Sequence, residues 1–258
     1  MEQNRTSRIF IPFWFRPFLP VGIILLLACS MVGLFGRAAI GKAEAAQVSA
    51  ANEAIELPAP TFPTPTPQMR YTICLDPGHG GEDPGSILTQ GEQLLRREKD
   101  DNLRLALATK KELEKMGFRV ILTQDDDSYL DTTERAQFAN ENDADLLISL
   151  HRNMYAGPEE ANGIEAWIAH NKPAEDYRLC RLLFQQFEKL GYMDLREIRT
   201  GTMMDPQDDY NVNGLTNMVS CILEMGFITS DRDNELFDAY YRDYAKAIAQ
   251  GVETYFNG

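Results

Sequence analysis

The stretch ADLLISLH, from Ala144 to His151, decides the fold class of this 258-residue chain. Apart from Asp145 and Ser149 it is a continuous apolar run up to the terminal histidine, which is typical of a strand buried on both faces. Similar runs are VILT at Val120–Thr123 and SCILE at Ser220–Glu224. Strands of this kind occur in mainly parallel sheets that are covered by helices on both faces. The sequence therefore predicts a single α/β domain with such a sheet.

Strand and helix patterns alternate along the chain on both sides of this stretch. The predicted strands are Tyr71–Asp76, Arg119–Thr123, Ala144–His151, Gly163–Ala169 and Val219–Glu224, and the predicted helices are Lys99–Met116, Thr132–Asn142, Pro173–Leu190 and segments within Asp231–Phe256. In sheets of this class, ligands bind outside the carboxyl ends of the strands. Polar residues that end the strands are therefore the candidates for chemistry.

Three of the predicted strands end in residues that can bind a metal or transfer a proton. The first is followed by a glycine-rich loop that contains His79, the second ends in His151 and the third ends in Glu224. Glu98 adds a second carboxylate next to the following helix. Two imidazoles and one carboxylate form the protein part of an open catalytic zinc site. The remaining carboxylate is then free for proton transfer.

Five ordered blocks carry a family resemblance: LDPGHGGEDPG, REKDDNL, DLLISLHRN, GIEAWI and CILEMGFITSDRDNELF. Over about residues 70–256 the chain resembles the zinc-dependent N-acetylmuramoyl-L-alanine amidases of the amidase 3 type. The resemblance implies one Zn²⁺ held by His79, Glu98 and His151, with Glu224 as the catalytic carboxylate. It also implies hydrolysis of the amide between N-acetylmuramic acid and L-alanine in peptidoglycan. An inactive peptidoglycan-binding protein and a zinc peptidase acting on stem peptides stay open as alternatives.

Several further residues receive expected roles from the resemblance. Asp76 and Asp83 are expected to support the His79 loop, with ordinary loop capping as the alternative, and Asn153 is expected at the rim near substrate. Arg152 occupies a position where the family more usually has a small residue. A long cation beside the metal is therefore expected to alter substrate preference. The polar segment 194–217 is the candidate for substrate contacts, and a solvated connection is its alternative.

The chain between His151 and Gly163 is too short for the inserted helix that blocks the zinc in some relatives, so a constitutively open site is expected. His170 follows a strand without a partner pattern and is predicted to lie at the surface. The cysteines of the domain are predicted to be buried thiols, with a Cys74–Cys221 disulfide as the alternative; they are Cys74, Cys180 and Cys221.

The N-terminal region predicts a membrane anchor. Residues 17–36 contain no charged side chain, and 20 residues of helix span about 30 Å, the thickness of a bilayer core. Three arginines and one glutamate lie in residues 1–16, so this segment is predicted to be cytoplasmic. The expected product is a single-pass cell-membrane protein with its catalytic domain on the extracytoplasmic side.

Residues 37–68 include a proline-rich stretch and are predicted to be an extended linker, with the catalytic amidase domain at 69–258. Two alternatives to an uncleaved anchor remain. Cleavage near Ala45 would make the protein secreted, and lipidation at Cys29 is less favoured because the apolar run continues past this residue.

The net charge of −14 excludes sequence-independent binding to nucleic acid, which requires basic surfaces that neutralise phosphates. Peptidoglycan also carries carboxylates, so the overall field of the protein does not attract it. Recognition of the substrate must therefore depend on local groups. A monomer is expected, and any regulation is expected to come from expression, location or an unidentified activator protein.

Overall fold

The computed structural model describes residues 71–157, 160–171 and 173–258. The predicted cytoplasmic segment, anchor and linker, at 1–16, 17–36 and 37–68, lie outside the described residues. In the described part of the chain, no helix is both long and apolar enough to cross a membrane.

The described strands form a six-stranded sheet and a separate two-stranded hairpin. The strands are β1 Thr72–Pro77, β2 Ile87–Gln90, β3 Gln93–Arg97, β4 Arg119–Leu122, β5 Leu146–Asn153, β6 Ile164–Ile168, β7 Leu195–Thr200 and β8 Val219–Phe227. The large sheet has the order β4-β1-β5-β8-β6-β7, and only β6 and β8 pair in antiparallel fashion. The predicted mainly parallel sheet is confirmed.

Helices cover both faces of the large sheet. They are α1 Glu98–Lys115, α2 Thr132–Glu141, α3 Pro173–Leu190, α4 Asn211–Gly214 and α5 Asp231–Asn257. One face packs on α1, α3 and α5 and contains Ile73 and Leu75, whereas Cys74 packs on the other face together with residues of α2 and α4. Alternate residues of one strand are thus buried on opposite faces. This explains why the strand sequences are apolar throughout.

The predicted elements are present, and α3 has the predicted bounds. The structure adds the hairpin β2–β3, the edge strand β7 and the short helix α4, none of which was predicted. The hairpin leads directly into α1 and is closed by a hydrogen bond from the Glu98 backbone N–H to the Ser86 carbonyl, at 2.9 Å. It therefore helps to fix the start of α1.

The three cysteines of the domain are buried free thiols. The prediction is confirmed, and the alternative of a Cys74–Cys221 disulfide is wrong. Burial raises the pKa of the Cys74 thiol, and Asp76 raises it further. This cysteine is a core residue that packs against apolar neighbours.

Candidate metal site and adjoining cleft

The carboxyl ends of β1, β5 and β8 bring the predicted site residues to one edge of the sheet. His151 on β5 and Glu224 on β8 are direct register partners. His79 lies in the loop after β1, and Glu98 is the first residue of α1. One potential ligand atom from each of His79, Glu98 and His151 lies within 4.8 Å of the others. The structure thus brings the three predicted ligands together.

The Glu98 carboxylate lies between the two imidazole rings. Its Oε1 is 2.8 Å from Nδ1 of His151 and 3.3 Å from Nε2 of His79. Its Oε2 accepts a hydrogen bond from the Ser86 backbone N–H at 2.8 Å. The Ser86 backbone N–H therefore helps to fix the Glu98 carboxylate, and each imidazole ring directs a nitrogen toward it.

The second ring nitrogen of His79 is also engaged. Its Nδ1 is 2.7 Å from Oδ2 of Asp83, and Oδ1 of Asp83 accepts the Gly85 backbone N–H at 3.0 Å. A carboxylate in this position orients the ring and fixes its tautomer, so that Nε2 is presented as a ligand. The expected support of His79 by Asp83 is observed.

Glycines allow the loop and the ligands to approach closely. A Cβ atom on Gly78 would lie 2.1 Å from the His151 ring, and one on Gly85 would lie 2.5 Å from the His79 ring. His79 itself has a positive φ of 66°, which is uncommon for a residue with a Cβ atom. Such backbone strain concentrates at functional sites because the surrounding structure must hold it in place.

A buried ion pair between Asp76 and Arg135 supports the His79 loop. Oδ1 of Asp76 accepts a hydrogen bond from Arg135 at 2.8 Å, and Arg135 also donates to the carbonyls of Pro77 and His79, each at 2.7 Å. Burial opposes ionisation of Asp76, but Arg135 and two hydroxyl donors outweigh it and lower the pKa of the carboxyl. Asp76 therefore supports the His79 loop through Arg135.

The electrostatics of the three ligands favour a cation between them. Burial opposes the protonated form of His79, but the carboxylates of Glu98 and Asp83 outweigh it and raise its pKa to about 9. Glu98 likewise raises the pKa of His151 against the effect of burial, and the two imidazoles lower the pKa of Glu98. Two imidazole nitrogens and a carboxylate oxygen are a typical donor set for catalytic zinc. The residues present therefore fit this metal.

Glu224 lies beside the ligands but differs from them in its contacts. Its Oε2 is buried and has no hydrogen-bond partner in the part of the chain that the structure describes. Burial, together with the charges of Glu98 and Glu165, raises the pKa of Glu224 to about 7, although the two histidines oppose the shift. A carboxyl group with a pKa near neutrality can both accept and return a proton.

The expected role of Arg152 is wrong. Because side chains alternate along a strand, Arg152 points to the opposite face from His151 and is buried. Its guanidinium donates to Asp101 at 2.5 Å and to Asn234 at 2.8 Å and lies 4.5 Å from the Phe237 ring centroid. Only its backbone N–H reaches the site, where it donates to Glu98 at 3.0 Å. Arg152 therefore ties the start of α1 to α5.

A cleft of about 420 Å³ is lined by residues of β6 and β7, and its lining includes Glu165 but not Glu224. Glu165 on β6 pairs directly with Glu224 on β8, and Asn153 donates to Glu165 at 2.7 Å. Polar residues that line the cleft are Asn153, Glu160, Glu165, Arg196 and Arg199, and the larger apolar ones are Met154, Tyr155, Trp167, Met203 and Phe227. Asn153 thus lies in the cleft rather than against the ligands.

The cleft residues were predicted only in part. The segment 194–217 contributes Arg196, Arg199 and Met203, whereas its later part forms turns and the short helix α4. Glu165 was not predicted, although an acidic residue inside the buried run GIEAWI was a signal for it. Of the residues described between His151 and β6, none is helical, and His170 is exposed, as expected.

Comparison with known proteins identifies the family of the chain. The family model described as N-acetylmuramoyl-L-alanine amidase matches residues 73–254. Among curated proteins, the uncharacterized protein YqiI of Bacillus subtilis is 31% identical over 201 residues, which cover 77% of this chain and 91% of that protein.

Solved structures give the same result. An N-acetylmuramoyl-L-alanine amidase from Clostridium difficile 630 is 30% identical with a TM-score of 0.64, covering 73% of this chain and 97% of that one. The CwlD amidase from Clostridioides difficile, solved in complex with the GerS lipoprotein, is 26% identical with a TM-score of 0.63, covering 72% and 98%. The chain therefore belongs to the N-acetylmuramoyl-L-alanine amidase family of peptidoglycan hydrolases.

Proposed function

We propose that the protein is a zinc-dependent enzyme that hydrolyses the amide between N-acetylmuramic acid and L-alanine, with His79, Glu98 and His151 as the metal ligands and Glu224 as the proton carrier. The observation that carries the proposal is the convergence of the three ligands beside a buried carboxylate oxygen that accepts no hydrogen bond from the described residues. Family membership supplies the substrate.

Bound zinc supplies a Lewis acid that polarises the scissile carbonyl and lowers the pKa of a water molecule toward about 7. Glu224 then accepts the proton of the attacking water and delivers it to the departing alanine nitrogen. Its raised pKa suits both steps, because the same oxygen must be ionised first and protonated afterwards. The cleft beside Glu224 receives the stem peptide, and the products are the muramic acid residue and a free peptide.

The first test is mass spectrometry of the products formed from purified peptidoglycan, with the metal-free protein and with added zinc. We expect intact stem peptides that begin with alanine, released only when zinc is present. Glu224→Gln should bind zinc but release no peptide. Shortened peptides that stay attached to the sugar would instead indicate a zinc peptidase.

Absence of any product from zinc-loaded wild type would favour a binding protein or an obligatory activator. The CwlD amidase, a structural relative, was solved in complex with a lipoprotein, which supports an activator of that kind. Binding of muropeptides without turnover, followed by turnover when a partner is supplied, would distinguish the two outcomes.

The proposed location is the outer side of the cell membrane, with residues 17–36 as the anchor. The apolar run and its three preceding arginines support it. Fractionation of cells expressing the full chain tests the proposal. We expect the protein in the membrane fraction and cleavage of its catalytic domain by external protease, whereas recovery in the medium would indicate processing near Ala45.

A further inference from the structure

Two arginines of the edge strand β7, Arg196 and Arg199, line the cleft beside Glu224. Arg196 forms hydrogen bonds, whereas Arg199 forms only ion pairs with the residues that the structure describes. Nε of Arg196 donates to Glu165 Oε1 at 2.9 Å, and its Nη1 donates to the Asn162 carbonyl at 3.3 Å. Arg199 lies 3.4 Å from the same Glu165 oxygen and 3.5 Å from Glu197, but it makes none of the described hydrogen bonds. Its Nε is buried and has no hydrogen-bond partner in the described part of the chain. Arg199 therefore forms two ion pairs but no hydrogen bond among the described residues, and its N–H groups can donate to a ligand.

Aromatic rings hold the two guanidinium groups in the wall of the cleft. Cζ of Arg199 lies 5.4 Å from the Trp167 ring centroid, and Cζ of Arg196 lies 5.1 Å from that of Phe227. Trp167 and Arg199 are also register partners on β6 and β7. Contacts of this kind restrict a long side chain before a ligand arrives, which reduces the entropy lost on binding.

Arg199 shares its nearer carboxylate, Glu165, with two other groups, and Glu197 is the more distant partner. Glu165 is shared between Arg196, Arg199 and the amide of Asn153, and the other cleft carboxylate, Glu160, accepts a hydrogen bond from Ser230 at 2.7 Å. In a protein with a net charge of −14, an anionic substrate needs a local cation. Planar guanidinium groups bind carboxylates through paired, charge-assisted hydrogen bonds.

The position of β7 indicates which carboxylate is reached. Two strand spacings separate β8, which carries Glu224, from β7, a distance of roughly 10 Å. The alanine beyond the scissile amide spans about 3.5 Å, and the next stem residue follows it. In peptidoglycan this second residue is γ-linked D-glutamate, which has a free α-carboxylate, or its amide, D-isoglutamine. A long arginine side chain that extends from β7 toward β8 covers the remaining distance.

We propose that Arg199, oriented by Trp167 and Glu165 beside Arg196, binds the α-carboxylate of the second stem residue and makes the enzyme selective for D-glutamate over D-isoglutamine. This inference rests on the proposed amidase function and adds the substrate class to it. The amide has no charge and one acceptor fewer, so it forms the weaker contact.

The test uses two disaccharide muropeptides that differ only in the second residue, D-glutamate or D-isoglutamine. For the zinc-loaded full chain, we expect kcat/KM to be about 10- to 100-fold higher for the acid, the value of hydrogen bonds to a charged group. Arg199→Gln is expected to remove this preference, and Arg199→Lys to restore part of it. Arg119→Gln removes an exposed arginine from strand β4 and should leave the preference intact.

Equal kcat/KM values for the two muropeptides in wild type, or an unchanged preference in Arg199→Gln, would overturn the inference. An affinity measurement separates it from the proposed function. Calorimetry with zinc-loaded Glu224→Gln, which should bind without turnover, is expected to show tighter binding of the acid. Equal affinities would overturn the carboxylate contact alone, whereas selective binding in a wild type that never releases peptide would overturn only the proposed hydrolysis.

Discussion

The two ends of the active edge differ in how completely their polar groups are bonded. At the metal end, Glu98 is hydrogen-bonded to His151 and Asp83 to His79, and both carboxylates also accept backbone N–H groups. At the cleft end, Glu224 Oε2 and Arg199 Nε are buried and have no hydrogen-bond partner among the described residues. A buried polar atom without a hydrogen-bond partner is destabilising, so such an atom beside a cleft is a candidate for contact with substrate. The metal end is therefore a rigid frame of mutually bonded side chains, and the cleft end is the candidate surface for binding substrate.

The largest effect is expected at Glu224. Glu224→Gln removes the proton carrier but none of the hydrogen bonds that hold the three ligands, so kcat should fall by about 100- to 10,000-fold. Bound zinc per chain, measured by atomic absorption, should stay at the wild-type value. Loss of both zinc and activity would indicate that Glu224 is itself a metal ligand. Glu224 would then belong to the metal end and not to the cleft end.

Asp76→Asn removes the buried ion pair that supports the metal end. Asp76 and Arg135 are both buried, with side chains 1% and 4% exposed, and the substitution leaves the Arg135 charge unpaired. We expect a loss of about 3–5 kcal/mol in the free energy of unfolding, measured with denaturant. Asp243→Asn removes an exposed i,i+3 partner of Lys246 and should cost less than about 1 kcal/mol. An equal loss of stability in the two variants would show that burial of the Asp76–Arg135 pair does not increase its contribution.

The same pair predicts a pH dependence of stability. The folded-state pKa of Asp76 is lowered, so the ionised carboxylate contributes stability above its unfolded pKa of about 3.9. This contribution is fully present at neutral pH and is lost as the pH falls below about 5 toward the folded pKa. Denaturant unfolding between pH 7 and pH 3 should show a shallower acid decline for Asp76→Asn. Parallel curves for the two proteins would contradict the assignment.

Asp83→Asn tests the orientation of one ligand. The substitution weakens the contact to Nδ1 of His79 and should lower zinc affinity by about 10- to 100-fold, the usual effect of such outer partners. Competition with a chelator measures the affinity. Asp126→Asn is the matched control, because Asp126 is exposed and bonds only the nearby Ser128 N–H among the described contacts. An unchanged affinity in Asp83→Asn would mean that the loop backbone alone orients His79.

The metal end was predictable from sequence because its residues sit in local blocks at strand ends. His79, His151 and Glu224 each follow a clear apolar run, and the parallel sheet then brings them together. The mutual contacts were not predictable in detail. The direction of Arg152 depends on which residue of β5 faces the ligands, and its partners come from α1 and α5, far away in sequence.

The cleft end was harder to predict. Strand β7 is an edge strand with charged, partly exposed residues, so it lacks the apolar run that identifies the central strands. The hairpin β2–β3 is likewise largely exposed. Neither element contains a fully buried residue, so apolar periodicity gives little indication of them. The sequence therefore indicated a substrate segment at 194–217 but not which of its side chains reach the cleft.

The smallest effect is expected for the stability change in Arg199→Gln. Its ion pair with Glu165 is 3.4 Å long, lacks a hydrogen bond and involves a side chain that is 38% exposed. The free energy of unfolding should therefore change by less than about 0.5 kcal/mol, against the large loss in Asp76→Asn. Denaturant unfolding of the two variants side by side measures the difference. A loss of several kcal/mol would show that Arg199 stabilises the fold. A side chain whose main partner is the substrate contributes little to the stability of the substrate-free protein.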